Sequence, residues 1–156
     1  FYILLIGITV NTNISSHTFA TASITREAAQ ALGAAARAAA QRMGLQVAIA
    51  ITDGAGHLKS FERSDGVPFL AIDAAIDKAW SAVSFGVGTN VWNEIVKDAK
   101  VAQLTHRPRL VTVGGGLPII QDGEVVGGIG ISGASADQDH EAAKMALAEL
   151  GFDVPA

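Results

Sequence analysis

Apolar positions recur at helical spacing from Ser23 to Met43 in an alanine-rich run, with Ser23 or Thr25 placed to cap, Glu27 in the first turn and Gly44 as the stop. So many alanines imply close packing. Gln46 to Thr52 reads as a buried strand, Asp53-Gly54-Ala55-Gly56 as a turn, and His57 to Arg63 as a more polar return strand. Ser64-Asp65-Gly66-Val67-Pro68 breaks this hairpin. Helical spacing resumes from Phe69 to Phe85 through Ile72, Ala75, Ile76, Ala79 and Val83, and Gly86-Val87-Gly88 ends it. Thr89 is placed as the N-cap of a short helix that runs through Trp92, Ile95 and Val96 to about Lys100, and Arg107-Pro108-Arg109 forbids its continuation.

The segment Val113 to Gly133 holds two short β runs that meet at Asp122-Gly123, a pair that favours a type I′ hairpin because both residues take positive φ at low cost. Gly114, Gly115 and Gly116 before the first run, with Gly127, Gly128, Gly130 and Gly133 along and after the second, leave backbone bare. Such backbone admits a ligand, a helix or another subunit. A last helix spans Asp137 to Leu150, and Gly151 stops it. The order α-β-β-α-α-β-β-α, with an extra strand at Leu110 to Val113, predicts an α+β domain. Consecutive hairpins make its five-stranded sheet largely antiparallel, with helices packed on it in two layers or as a sandwich.

Composition narrows the function classes. The chain has 156 residues, enough for one domain that buries about 68–70% of its unfolded surface. Only 17% of residues are charged, and this scarcity predicts a homo-oligomer. The net charge is −4 and the basic residues are scattered, so no nucleic-acid partner is expected. The absence of cysteine excludes disulfides, Cys-ligated zinc and thiol nucleophiles.

The first ten residues, F-Y-I-L-L-I-G-I-T-V, are apolar and are followed by a polar stretch ending in Phe19-Ala20-Thr21-Ala22. This resembles a secretory signal remnant with a small-x-small cleavage site; vector-derived sequence and an edge strand are the alternatives. Ten apolar residues are too few to span a bilayer. The compartment follows that choice: cytoplasmic, or periplasmic or secreted if the stretch is a signal. Residues 1–22 are therefore set apart as a tail and 23–156 as the domain.

Several motif matches fail on context. Gly128 to Gly133 satisfies G-x-G-x-x-G, but that fingerprint needs a further parallel strand with a terminal acidic residue, and none follows. Ser132 misses the G-x-S-x-G elbow by one position. Asp122 and Glu124 flank a turn tip, where carboxylates are solvated. His17, His57, His106 and His140 are dispersed without metal-ligand spacing, so no metal site is expected.

With its segments placed, the chain resembles the GlcG/HbpS-like, or haem-degrading, family, which includes the C-terminal domain of PduO-type proteins. The resemblance covers about Ile24 to Leu150. It rests on I-T-R-E-A-A at Ile24 to Ala29, V-A-I-A-I-T-D-G-A-G-H-L at Val47 to Leu58 and E-R-S-D-G at Glu62 to Gly66. D-K-A-W-S-A at Asp77 to Ala82, G-G-G-L-P-I at Gly114 to Ile119, D-G-E-V-V-G-G-I-G-I-S-G at Asp122 to Gly133 and Gln138-Asp139 complete it. The resemblance implies a profilin-like fold, oligomers from dimer to octamer and, in several members, haem binding. It also makes Lys78 a signature position and Thr89 the counterpart of a threonine implicated in haem ligation.

The candidate ligand-binding residues are Lys78, Thr89, Arg63, His57, Asp53 and His106. The Lys78 ammonium suits a haem propionate or a small acid, or else a partly buried ion pair with Asp65 or Asp73, or a snorkelling position at the surface. Asp53, His57, Arg63 and Asp65 lie at the ends of the first hairpin, either converging with Lys78 or serving their own turns. His106, in the basic loop T-H-R-P-R, is chemically the better axial haem ligand, because imidazole binds iron better than a hydroxyl does. Three readings follow: an oligomeric binder of haem or a related acidic molecule in a pocket between the glycine-rich sheet and the helices; a small cofactor-independent enzyme using Lys78, His57 and Asp53; or a structural subunit of a larger complex.

Overall fold

The computed structural model describes residues 16–155. Helix α1 (Arg26–Arg42) leads into strands β1 (Ala48–Asp53) and β2 (Leu58–Arg63), followed by α2 (Leu70–Phe85) and α3 (Thr89–Ile95). A short 3₁₀ turn (Ala102–His106) precedes β3 (Gly116–Gln121), β4 (Glu124–Ser132) and α4 (Ala136–Glu149). Among the described residues the sheet has four antiparallel strands in the order β2-β1-β4-β3. The fifth strand expected at Leu110 to Val113 does not form. Instead, the Val111 amide donates to Ser81 Oγ at 2.9 Å and Ser81 Oγ donates to the Arg109 carbonyl at 3.0 Å, which spends this backbone on α2.

Side-chain alternation on β1 and β4 separates two unlike faces. In register, Ile49 faces Ile131 and Ile51 faces Ile129, and these branched residues pack under α1 and α4 with Leu32, Leu117 and Leu147. The other face pairs Ala50 with Gly130 and Thr52 with Gly128, and α2 lies on it through Ala71, Ala75 and Ala79. A β-carbon at Gly130 would land on the Ala75 carbonyl, and one at Gly128 on the Ala79 carbonyl. The bare strand backbone thus admits a helix. The ligand pocket expected between the glycine-rich sheet and the helices is closed there by α2 itself.

Local signals set most of the ends. Thr25 caps α1 by accepting from the Ala28 amide. Asp122 and Gly123 have φ of 52° and 79°, the type I′ geometry. Ser135 and Gln138 form a capping box on α4, one residue before the expected start. Helix α3 stops at Ile95, short of Lys100, and its N-cap is Gly88, so Thr89 is the first helical residue.

The readings of residues 1–15 lie outside the described range. Residues 16–23 are exposed, whereas Ile24 is buried and its amide donates to the Val126 carbonyl at 2.8 Å. Deleting residues 1–22 is expected to change stability by less than about 0.5 kcal/mol, because residues 16–22 are exposed and the first buried anchor of the domain is Ile24. Urea unfolding checks this; loss of cooperative unfolding would place the domain boundary further upstream.

Candidate functional site

Lys78 projects from α2 into the interior, 3% exposed. Its Nζ donates to Asp139 Oδ2 at 3.0 Å and to the Ile131 carbonyl at 2.9 Å, while Asp139 Oδ1 accepts from the Ala134 amide. The partner is therefore Asp139, at the start of α4, rather than Asp65 or Asp73. Burial lowers the Lys78 pKa, and the Asp139 carboxylate opposes that shift. The pair joins α2 on one face of the sheet to α4 on the other through the end of β4. Its donors and acceptors face one another, leaving the ammonium no open side toward solvent.

The remaining sequence candidates do not converge on it. Asp53 and His57 occupy the turn end of the first hairpin, where Asp53 Oδ1 accepts from the Ala55 and His57 amides at 3.0 and 2.9 Å and so serves its own turn. Asp53 lies opposite Gly127 on β4, whereas Lys78 reaches Ile131, four residues or about 13 Å along the same strand. Arg63 is at the opposite hairpin end, exposed, and lines an open depression of mixed polarity with Arg37, Glu62 and Asp65. Among the described residues Arg63 and Asp65 form no ion pair. Thr89 is fully buried and its hydroxyl accepts from the Gly116 amide at 2.9 Å, so it fastens the loop before β3 instead of capping α3. Among the described residues no helix is long and apolar enough to cross a membrane, and no cluster of His, Asp or Glu has metal-binding geometry.

His106 is exposed on the 3₁₀ turn, beside a feature that the sequence reading missed. Trp80, Phe85, Trp92, Leu104, Arg107 and Leu110 line an almost wholly apolar cleft of about 160 Å³. Phe85 and Trp92 meet edge to face at 5.3 Å, and Phe85 remains 75% exposed. Trp92 Nε1 is buried and has no hydrogen-bond partner among the described residues. Arg109 holds the loop in place: its guanidinium stacks 4.7 Å from the Trp80 ring centroid and Nε donates to Asp77 at 2.8 Å, although its φ is 73°. The cleft holds both tryptophans of the chain. That was the available signal, but the sequence offers Trp92 only as part of the apolar spacing of its helix and Trp80 only within the D-K-A-W-S-A motif.

These elements define an α+β domain with one tightly closed sheet face and an aromatic cleft at the C-terminal end of α2. The chain belongs to the family described as haem degrading protein HbpS-like, whose model matches residues 24–148. It is 33% identical over 129 residues to an uncharacterized 15.0 kDa protein from the dhaT-dhaS intergenic region of Citrobacter freundii, covering 81% of this chain and 91% of that one. A double mutant of HbpS from Streptomyces reticuli superposes with a TM-score of 0.80 at 32% identity, covering 86% and 91% of the two chains. PduOC, solved as a haem complex, superposes with a TM-score of 0.77 at 27% identity, covering 86% and 99%.

Proposed function

We propose that this protein is an oligomeric small-molecule binder that takes haem, or a related flat acidic ligand, at the aromatic cleft, on a layered unit of the profilin-like kind the resemblance implies. The observation that carries the reading is the residue set of the cleft: aromatic walls, Arg107 among the lining residues and His106 on the adjoining turn. That set fits the group. Arg107 would balance an acid group, His106 would supply an imidazole to iron, and Trp80 and Phe85 would cover an apolar face. The PduOC haem complex within the same family supports it. Haem held there would contribute iron able to bind a ligand or exchange an electron.

A cleft of about 160 Å³ is smaller than the ~300–1,000 Å³ of sites that enclose a small molecule. It would seat one edge of a macrocycle, and a second copy would close the remainder. Phe85 at the cleft, and Phe69 and Leu70 at the opposite end of α2, are each at least 75% exposed, and such apolar exposure favours association. Light scattering at micromolar concentration is expected to give a multiple of 16.0 kDa; a monomer mass contradicts the oligomer. In the same preparation, Arg107→Ala is expected to weaken hemin binding about tenfold by removing a charge-assisted contact without touching the core. Unchanged affinity in that variant would move the acidic end of the ligand elsewhere. The acid–base reading of Lys78, His57 and Asp53 lacks the convergence it requires.

A further inference from the structure

A second depression, about 340 Å³, lies between α3, the loop before β3 and the start of α4, and it shares no lining residue with the aromatic cleft. Asn90, Asn93 and Glu94 form one wall, and Gly114, Asp137 and His140 are on the others. Two of these side chains carry a buried polar atom with no partner among the described residues, Asn90 Oδ1 and His140 Nδ1. Leaving such atoms unpaired opposes folding, and turning either side chain toward an occupant would pair it. Asp137 makes no hydrogen bond or ion pair among the described residues, and Asn93, whose Nδ2 donates to the Thr112 carbonyl, keeps its amide oxygen.

The chemistry of the lining selects the occupant. An anion would meet the Asp137 carboxylate, while the Glu94 carboxylate is already neutralised by Lys97 Nζ at 2.6 Å. A cation would meet the positive end of the α4 dipole, and a metal ion would lack a cluster of ligands among the described residues. Burial, with Lys144 adding to it and Glu141 and Asp137 opposing, lowers the His140 pKa, so its ring is neutral near pH 7 and offers one donor and one acceptor. Amide, imidazole and carboxylate groups set side by side match hydroxyls, which both donate and accept. We infer that this depression is a binding site for a small neutral polyol, separate from the aromatic cleft and independent of the haem reading.

Glycerol and erythritol titrated into the ¹⁵N-labelled full chain test it, read at the Asn90 side-chain amide and the His140 ring. Saturable shifts confined to these groups and their neighbours are expected. Asp137→Ala, at an exposed position, should weaken binding about tenfold because a carboxylate that accepts two hydroxyls is lost, while Asp65→Ala should leave it unchanged. Acetate and ethylammonium should give no saturation. Linear, unsaturating shifts with both polyols, saturation by either ion, or unaltered binding by Asp137→Ala in a folded spectrum would each overturn the assignment.

Discussion

Lys78→Met is expected to lower stability by about 3–5 kcal/mol, because it keeps the apolar stem but strands the Asp139 carboxylate in the interior without its ammonium partner. The Ile131 carbonyl loses a donor at the same time, and the link between α2 and α4 goes with it. Hemin affinity in the folded fraction should change by less than about twofold, since the pair and the aromatic cleft share no residue. Urea unfolding midpoints and hemin titration on the same variant separate the two quantities. A stability loss under about 1 kcal/mol, together with a large fall in affinity, would return Lys78 to the ligand site.

Gly130→Val is expected to be at least as damaging. Its β-carbon would coincide with the Ala75 carbonyl and would lie 2.6 Å from the Ala79 amide nitrogen, both of them helix backbone that cannot rotate away. Relief requires α2 to lift off the sheet, which undoes the packing of Ala71, Ala75 and Ala79, so a cost of about 3 kcal/mol or more follows. Gly66→Ala is the control: the nearest heavy atom to its β-carbon is 3.8 Å away, and its effect should stay within about 0.5 kcal/mol. Thermal unfolding of the two variants checks the contrast. Equal stability would mean that α2 does not rest on the glycine floor.

Where a local rule acted alone, the sequence was readable. Thr25 caps its helix, Asp122-Gly123 turns its hairpin, and the alternation of isoleucine with alanine or glycine on β1 and β4 marks the two faces. Expectations failed where a distant partner decided. Leu110 to Val113 has the composition of a strand, but Ser81, about thirty positions earlier, captures its backbone. Thr89 is the right residue type for a cap, yet Gly116 claims its hydroxyl and Gly88 takes the cap position. The site suffered most from this. Lys78 stood out because a lysine on an apolar helix face is unusual, but its partner is 61 positions away and neither Asp65 nor Asp73. The aromatic cleft draws on α2, α3, the 3₁₀ turn and the loop after it, and no spacing rule joins those segments.

Hemin binding followed at the Soret band tests the central claim most directly, with the full chain and its His106→Ala and Trp80→Ala variants titrated side by side. The parent chain should give a shifted, saturable band. His106→Ala should alter the position of that band, because the proposed imidazole ligand is gone, and Trp80→Ala should weaken binding about tenfold through loss of an aromatic wall. A spectrum indistinguishable from free hemin in the parent chain, or variants that bind and absorb as it does, would contradict the assignment of this cleft.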